Sequence, residues 1–457
     1  MNIRCEETLV EVRIRDTGHR LALVLLVVVA TWGLGSADDA LTLEAAIAEG
    51  LANSPDAGLA YEQIVQAQGR YEEVRARVLP QIKLTGMGSR TKISLGQLAA
   101  FGLPDSIAAL PPLNQYQLQF EATQLLLAWG RIGNTIGAVR EGLEDADIGI
   151  KQAERQVAFG VISAFYTVLA ADAGVGVSER EEQYLAARLE QVRARQSAGS
   201  ASRLELLTTT AEHAGVRPRS VEAKGALEVA EADFNRVIGR PLDANVTLEQ
   251  SQDHQVRLPS NERATASARR SRLEFRRLDV QRGIQKRMIS IDRNMLRPDL
   301  YAFGQYGAQA APTPADIFDS NYYGWTVGVM LDFPLFVGLE NRGKARRSQS
   351  VLRELELRTQ KLEQSVEVEV TSALIAVRQT GEAKRAAVHA HGAAELAFSA
   401  TVEAKDVGAA TALDVLDARR RLMDAERMVS QARYAHLQAV AALKYAIGAD
   451  LLAPLAP

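Results

Sequence analysis

Residues of the kinds that usually carry chemistry are few or poorly spaced in this 457-residue chain. The single cysteine is Cys5, so neither a disulfide framework nor a cysteine-based metal site can form. The six histidines are scattered, and His389 and His391 stand two apart on a predicted helix, which turns them to different faces. No phosphate-binding loop and no HExxH metal motif occurs. Gly174-Val-Gly176 lacks the third glycine and the preceding strand of a dinucleotide site. Serines and carboxylates are plentiful, but none lies in a nucleophile motif. The net charge of -3 offers no basic field for nucleic acid. Arg419 to Arg421 read as the polar side of a helix. These observations argue against an enzyme and imply no cofactor and no metal. Whatever the chain does, its architecture must do it.

The chain opens on an apolar run, Leu21 to Trp32, preceded by His19 and Arg20 and followed by the small residues Gly35, Ser36 and Ala37. The run is shorter than the roughly 20 residues a membrane-crossing helix needs, so 1–37 reads as a secretory signal peptide. The acidic stretch before it, with Glu6, Glu7, Glu11 and Asp16, is unusual for such a leader. No other segment reads as apolar enough to cross a membrane as a helix.

The remainder is a duplication. Gly199-Ser-Ala-Ser-Arg-Leu-Glu-Leu-Leu207 resembles Gly408-Ala-Ala-Thr-Ala-Leu-Asp-Val-Leu416, and Phe234 to Gly239 resembles Leu443 to Gly448 at the same interval. Leu79-Pro80 similarly matches Arg297-Pro298. The first repeat covers 38–239 and the second 261–448. A linker, 240–260, holds Pro241 and Pro259 and has no helical period. A tail, 449–457, ends the chain.

Each repeat is expected to hold an opening helix, two strands, a long helix, a glycine break and a returning helix. Thr42 is a plausible cap for the first opening helix, which runs toward Pro80. Tyr116, Leu118, Phe120 and Ala122 alternate with polar residues, as do Tyr323, Trp325, Val327, Val329, Leu331 and Phe333 with their neighbours, and both runs have strand period. Loops are expected around Pro104 to Asn114 and Pro312 to Asn321. Trp129 to Ala198 would extend about 105 Å as a helix, and Ala201 to Ile238 about 57 Å. Two shorter helices, end to end, thus match one long one. Val415, Ala418, Leu422, Ala425, Val429, Ala432, His436, Ala439 and Leu443 follow the alternating three-and-four spacing of a coiled-coil seam. Pro218 predicts a kink in the first returning helix. Aromatics concentrate in 80–130 and 298–336, as on barrel strands that turn apolar side chains to lipid. Four strands cannot close a barrel, so the chain must oligomerise.

This layout resembles the TolC family of outer-membrane efflux proteins over nearly the whole mature chain. The residues that carry the resemblance are Leu41-Thr-Leu-Glu-Ala-Ala46, Leu125-Leu-Leu-Ala-Trp-Gly-Arg131 with its counterpart Pro334-Leu-Phe-Val-Gly338, Phe234-Asn-Arg-Val-Ile-Gly239, and Val407 to Asp417. The resemblance implies a mainly α fold with a membrane β-barrel portion. A homotrimer would contribute four strands per chain to one twelve-stranded barrel, and its long coiled-coil helices would form an α-barrel across the periplasm. It implies the passive exit duct of a tripartite efflux or type I secretion system in the outer membrane. A periplasmic adaptor and an inner-membrane pump or ABC exporter would be its partners.

By the same resemblance Asp414 and Asp417 match acidic residues that line the periplasmic mouth, and Glu205 matches a first-tip acid that helps to hold it shut. That acid's partners in the family's prototype fall here on Ala410 and Lys405, so Lys405 is the candidate counter-charge. The tip residues expected to meet an adaptor are Gly199, Ser200, Leu204, Leu207, Gly408, Ala409, Leu413 and Leu416, although the leucines would equally pack each hairpin on itself. The lipid-facing set is Tyr116, Leu118, Phe120, Tyr323, Trp325, Val327 and Val329. The alternative function is a periplasmic coiled-coil adaptor or structural stalk, which would need no barrel.

Overall fold

The computed structural model describes residues 40–92, 112–250 and 257–453. The signal peptide expected over 1–37 and most of the loop expected over Pro104 to Asn114 lie outside them. The described helices are α1 (Leu43–Asn53), α2 (Pro55–Ala76), α3 (Arg131–Ser197), α4 (Arg203–Ile238), α5 (Asn261–Ser271), α6 (Leu273–Arg293), α7 (Glu340–Asp406) and α8 (Ala412–Ala446). The strands are β1 (Gln81–Thr91), β2 (Leu113–Leu127), β3 (Asp299–Ala311) and β4 (Tyr323–Asp332). β1 and β3 each start directly after the prolines that the duplication aligned, Pro80 and Pro298.

The long helices form as expected, and α3 and α7 are each 67 residues. Both opening helices, expected to be continuous, are instead broken. Pro55 disfavours the helical conformation for the residue before it. Ser54 is accordingly extended, and its hydroxyl accepts the Asp56 amide to start α2 afresh. In the second repeat Arg272 is extended between α5 and α6. Its guanidinium donates to Glu274 and to Glu369. Thr42 caps α1 by accepting the Ala45 amide at 3.1 Å. α4 is one helix that runs through Pro218.

Contacts divide the chain into two compact units, each drawing on both repeats. One comprises the described parts of Met1–Gly50, Val161–Gln255 and His391–Tyr434. Here Phe165 and Phe234 are fully buried and stack edge-on, with centroids 6.2 Å apart. The linker is pinned by a parallel bridge between Leu41 and Leu248 and by the Arg240–Glu49 ion pair at 2.5 Å. The other unit comprises Leu51–Gly160, Val256–Ala390 and the described part of Ala435–Pro457. Its helical core gathers Ala264, Ala268, Val366, Val370, Leu374, Val377 and Leu443. Arg155 closes the end of α8 by donating to the carbonyls of Lys444 and Ala449 at 2.9 and 2.7 Å.

Contrary to the sequence expectation, α3 contains a stretch apolar enough, by length and composition, to cross a membrane. Of that stretch, 44% is buried within the chain, so it packs in part against the chain's other elements.

Candidate functional site

The four strands form one antiparallel sheet in the order β1-β2-β3-β4, so among the described residues β1 and β4 are both open edges. Register decides the faces, because directly opposed residues share a side. Leu84 opposes Phe120, Phe120 opposes Tyr306, and Tyr306 opposes Trp325. Leu118 opposes Ala308, which opposes Tyr323, while Gly304 opposes Val327 and Ala302 opposes Val329. Tyr116, Leu118, Phe120, Tyr323, Trp325, Val327 and Val329 therefore lie on a single face with Ile82 and Leu84. Trp325 and Val327 are 76% and 72% exposed. A contiguous apolar surface of this kind marks a place that something else covers. The opposite face carries the polar residues, with Met87, Tyr301, Phe303 and Met330 among them: Lys83 opposes Glu121, Thr85 opposes Gln119, and Glu121 opposes Gln305, which opposes Thr326.

In the other unit lie the two helical hairpins that reverse at Gly199 and Gly408. Both glycines adopt the left-handed conformation, with φ of 75° and 80°, which a side chain would strain. The amide of Ser200 closes the first turn onto Arg195 and that of Ala409 closes the second onto Ala404, at 2.8 and 2.7 Å. α4 is capped by Ser202, whose hydroxyl accepts the Glu205 amide at 3.0 Å. α8 opens on a reciprocal capping box. The Thr411 amide donates to the Asp414 carboxylate at 2.8 Å, and the Asp414 amide donates to the Thr411 hydroxyl at 3.2 Å.

These bonds fix the titrating groups. Hydrogen bonds from the Thr411 hydroxyl and amide hold the exposed Asp414 carboxyl below the usual aspartate range. Asp417 pairs with Arg420 and with Arg421, both at 2.8 Å. Glu205 pairs with Arg188 at 3.2 Å and Arg195 at 3.3 Å. Among the described residues Lys405 makes no salt bridge to Glu205. Burial and then the Arg188 guanidinium push the Lys405 ammonium below its ordinary range, against the opposing pull of Glu205.

The tip leucines divide. Leu204, Leu207 and Leu413 are exposed, whereas Leu416 is buried with Leu185, Val216 and Tyr184. Leu416 therefore packs the second hairpin against the first rather than on itself, and the other three leucines are open to a partner. Ser200 and Ala409 are also exposed.

Sequence reasoning missed Arg188 and Arg195 as the partners of Glu205, and it misplaced Arg419. Arg419 does not share the polar side with Arg420 and Arg421. Its guanidinium lies over the Tyr184 ring at 4.7 Å and the Phe398 ring at 5.3 Å. The signal was available: Leu416 and Leu422, three residues to either side, belong to the apolar stripe of α8.

The outer membrane efflux protein family model matches residues 46–240 and 264–449. The chain is 25% identical to outer membrane protein TolC of Vibrio cholerae over 316 residues, covering 67% of this chain and 72% of that protein. It is 25% identical over 425 residues to the pyoverdine export outer membrane protein OpmQ of Pseudomonas aeruginosa, covering 89% and 85%. Among solved structures it is similar to the Campylobacter jejuni CmeC outer membrane channel, with a TM-score of 0.77 at 15% identity over 89% of this chain and 85% of that one.

Proposed function

This chain belongs to the outer membrane efflux protein family, and we propose that it works as a homotrimer whose shared barrel and helical duct pass cargo out of the cell. It is an outer-membrane exit duct that extends into the periplasm. The supporting observation for the trimer is the sheet, with one apolar face, one polar face and two open edges. In hydrocarbon each unpaired backbone group costs several kcal/mol, so β1 and β4 must each meet a strand of another copy. Two copies would give eight strands, an interior that side chains fill. Three give twelve and leave a lumen, lined by the polar face with Glu121, Gln119 and Gln305. The face carrying Tyr116, Leu118, Phe120, Tyr323, Trp325, Val327 and Val329 then meets lipid. Native mass measurement of the detergent-extracted protein tests this: a trimer is expected, and a stable monomer or dimer overturns it.

At the periplasmic end the hairpin tips dock a periplasmic adaptor through Ser200, Leu204, Leu207, Ala409 and Leu413, around the reversals at Gly199 and Gly408. An inner-membrane pump or ABC exporter supplies the energy. Asp414 and Asp417 from three copies converge on the mouth, and Glu205, tied to Arg188 and Arg195, braces the first hairpin beside it. The exposure of the Asp414 carboxylate and its hold in the ionised form support this reading. A periplasmic stalk or adaptor is not favoured, because neither has a use for an exposed amphipathic sheet with open edges.

A further inference from the structure

Arg419 occupies a position that the helix pattern reserves for an apolar side chain. The residues three and four away on α8 are Val415, Leu416, Leu422 and Met423, and all four are buried. Arg420 and Arg421 both turn to Asp417. Among the described residues no carboxylate pairs with Arg419. Its guanidinium instead lies against the rings of both Tyr184 of α3 and Phe398 of α7, which themselves meet edge-on with centroids 6.2 Å apart. Its Nε is buried and has no hydrogen-bond partner. On either side lie two small apolar clusters, one around Leu185, Val216 and Leu416, the other around Val177, Leu422 and Met423.

A leucine or methionine would fill such a slot without desolvating a charge or stranding a donor. The arginine gains the attraction of two ring faces but leaves a buried N–H unmet. When α8 slides or rotates away from α3, the rings are lost and the guanidinium regains water. Gain and loss oppose each other, so the contact favours the closed tip by only a modest margin and can be released. We propose that Arg419 is a latch of the tip: resting on the paired rings of Tyr184 and Phe398, it holds the α7–α8 hairpin against α3 at rest and lets go when the mouth opens for cargo. This rests on the exit-duct reading. Beside the apolar clusters, two contacts between α3 and α8, Arg180 with Glu426 at 3.0 Å and Arg427 with Glu181 at 3.7 Å, are ion pairs that water also relieves on separation.

The test combines single-channel recording of the purified full-length protein in planar bilayers with export by cells carrying each variant. Arg419→Ala removes the clamp and should raise the resting open fraction about tenfold, the change that loss of a desolvated cation–ring contact implies. Arg419→Met fills the slot but has no hydrated state to gain, so it should rest at least as closed as the native channel and export less. Phe398→Leu, which keeps apolar volume and removes a ring, should shift the open fraction in the direction of Arg419→Ala. A side chain that only packed the hairpin would not move Ala and Met variants in opposite directions. If Arg419→Met exports normally and Arg419→Ala rests closed, the latch is overturned. The double variant Asp414→Ala with Asp417→Ala, recorded alongside, separates the failures. Altered ion selectivity there with native-like Arg419 variants sinks the latch and leaves the tip mouth as the gate, whereas unchanged conduction in every variant removes the gate as well.

Discussion

Glu205 and Asp414 occupy equivalent places in the two tip hairpins, each three residues after the hydroxyl that caps its helix, yet their carboxylates turn in opposite directions. Glu205 reaches across to Arg188 and Arg195 on α3 at 3.2 and 3.3 Å. Asp414 folds back onto Thr411 at 2.7 and 2.8 Å. The cause is in the preceding helices, for at the interval of the duplication Arg188 and Arg195 correspond to Ala397 and Ala404. The first hairpin is thus tied to its own long helix by charge. The second has no equivalent tie, and its acid is left for its own helix end and for the mouth.

Glu205→Gln should loosen the first hairpin selectively. Arg188 is only 14% exposed at its side chain and would lose its counter-charge. Partial exposure discounts the penalty of an unpaired buried charge to about 1–2 kcal/mol. Hydrogen exchange of the amides from Gly199 to Leu206 should speed up while those of α8 stay as they are. Unchanged protection would mean that the two ion pairs contribute nothing to the hairpin.

Acid should act on the second hairpin first through Asp414. Its folded-state carboxyl titrates below the ordinary range because Thr411 donates to it. A depressed carboxyl contributes stability above its unfolded value and loses it as pH falls through the folded one. Amides at the start of α8 should therefore lose protection, measured against their intrinsic exchange rates, as pH drops below the usual aspartate range. In Thr411→Val, which lacks the hydroxyl donor, that acid step should shift upward. A step at the same pH in both proteins would assign it to another group.

Much of this fold was legible because it repeats. The glycine at each reversal and the proline before β1 and β3 recur at matched places, and each enforces its structure locally. The long helices and the alternating strands followed from period alone. The breaks at Ser54 and Arg272 were harder to read. Pro55 is a local signal that was outweighed by the helical pattern around it, while Arg272 is held by Glu369, far away in sequence. Which carboxylate meets which cation was not legible for the same reason. Lys405 matched Glu205 by position, but Arg188 and Arg195 stand closer in space and take it. Arg419 misled because a charge is read as solvent-facing, and only the apolar residues on either side reveal its slot.

The two faces of β4 should differ sharply in tolerance. Val327→Lys places a charge on the apolar face and should cost about 2–4 kcal/mol per chain if that face meets the bilayer midplane. Thr326→Lys, one residue away, points to the polar face. Trimer recovered from outer membranes and resolved on a gel without heating should fall for the first and persist for the second. Equal loss in both would contradict the assignment of faces.

Among the tip leucines, Leu416→Asp should unfold the hairpin, since it buries an unpaired charge beside Leu185 and Val216. Leu204→Asp and Leu413→Asp should leave thermal stability within about 0.5 kcal/mol of native, as exposed substitutions do, and yet abolish crosslinking to the adaptor. Native-level crosslinking in both would move the docking surface elsewhere.

The final prediction concerns the mouth, where the two aspartates should prove unequal. Asp417 already faces two arginines, so its local charge is cancelled and more than cancelled. Asp414 has no cation within salt-bridge distance among the described residues, and its hydrogen bonds keep it ionised. Three copies of Asp414 would therefore supply the negative ring that favours cations. Asp414→Asn should lower cation preference, read as a reversal potential under a salt gradient. Asp417→Asn should act differently, because it releases Arg420 and Arg421 from their shared partner. Six arginines per trimer would then face the mouth unbalanced, and preference should swing further toward anions than with Asp414→Asn. Raised salt should shrink both effects, as screening requires. If instead the two variants shift the potential equally, the arginines do not face the passage, and the pairing seen within one chain is not what sets the charge of the mouth.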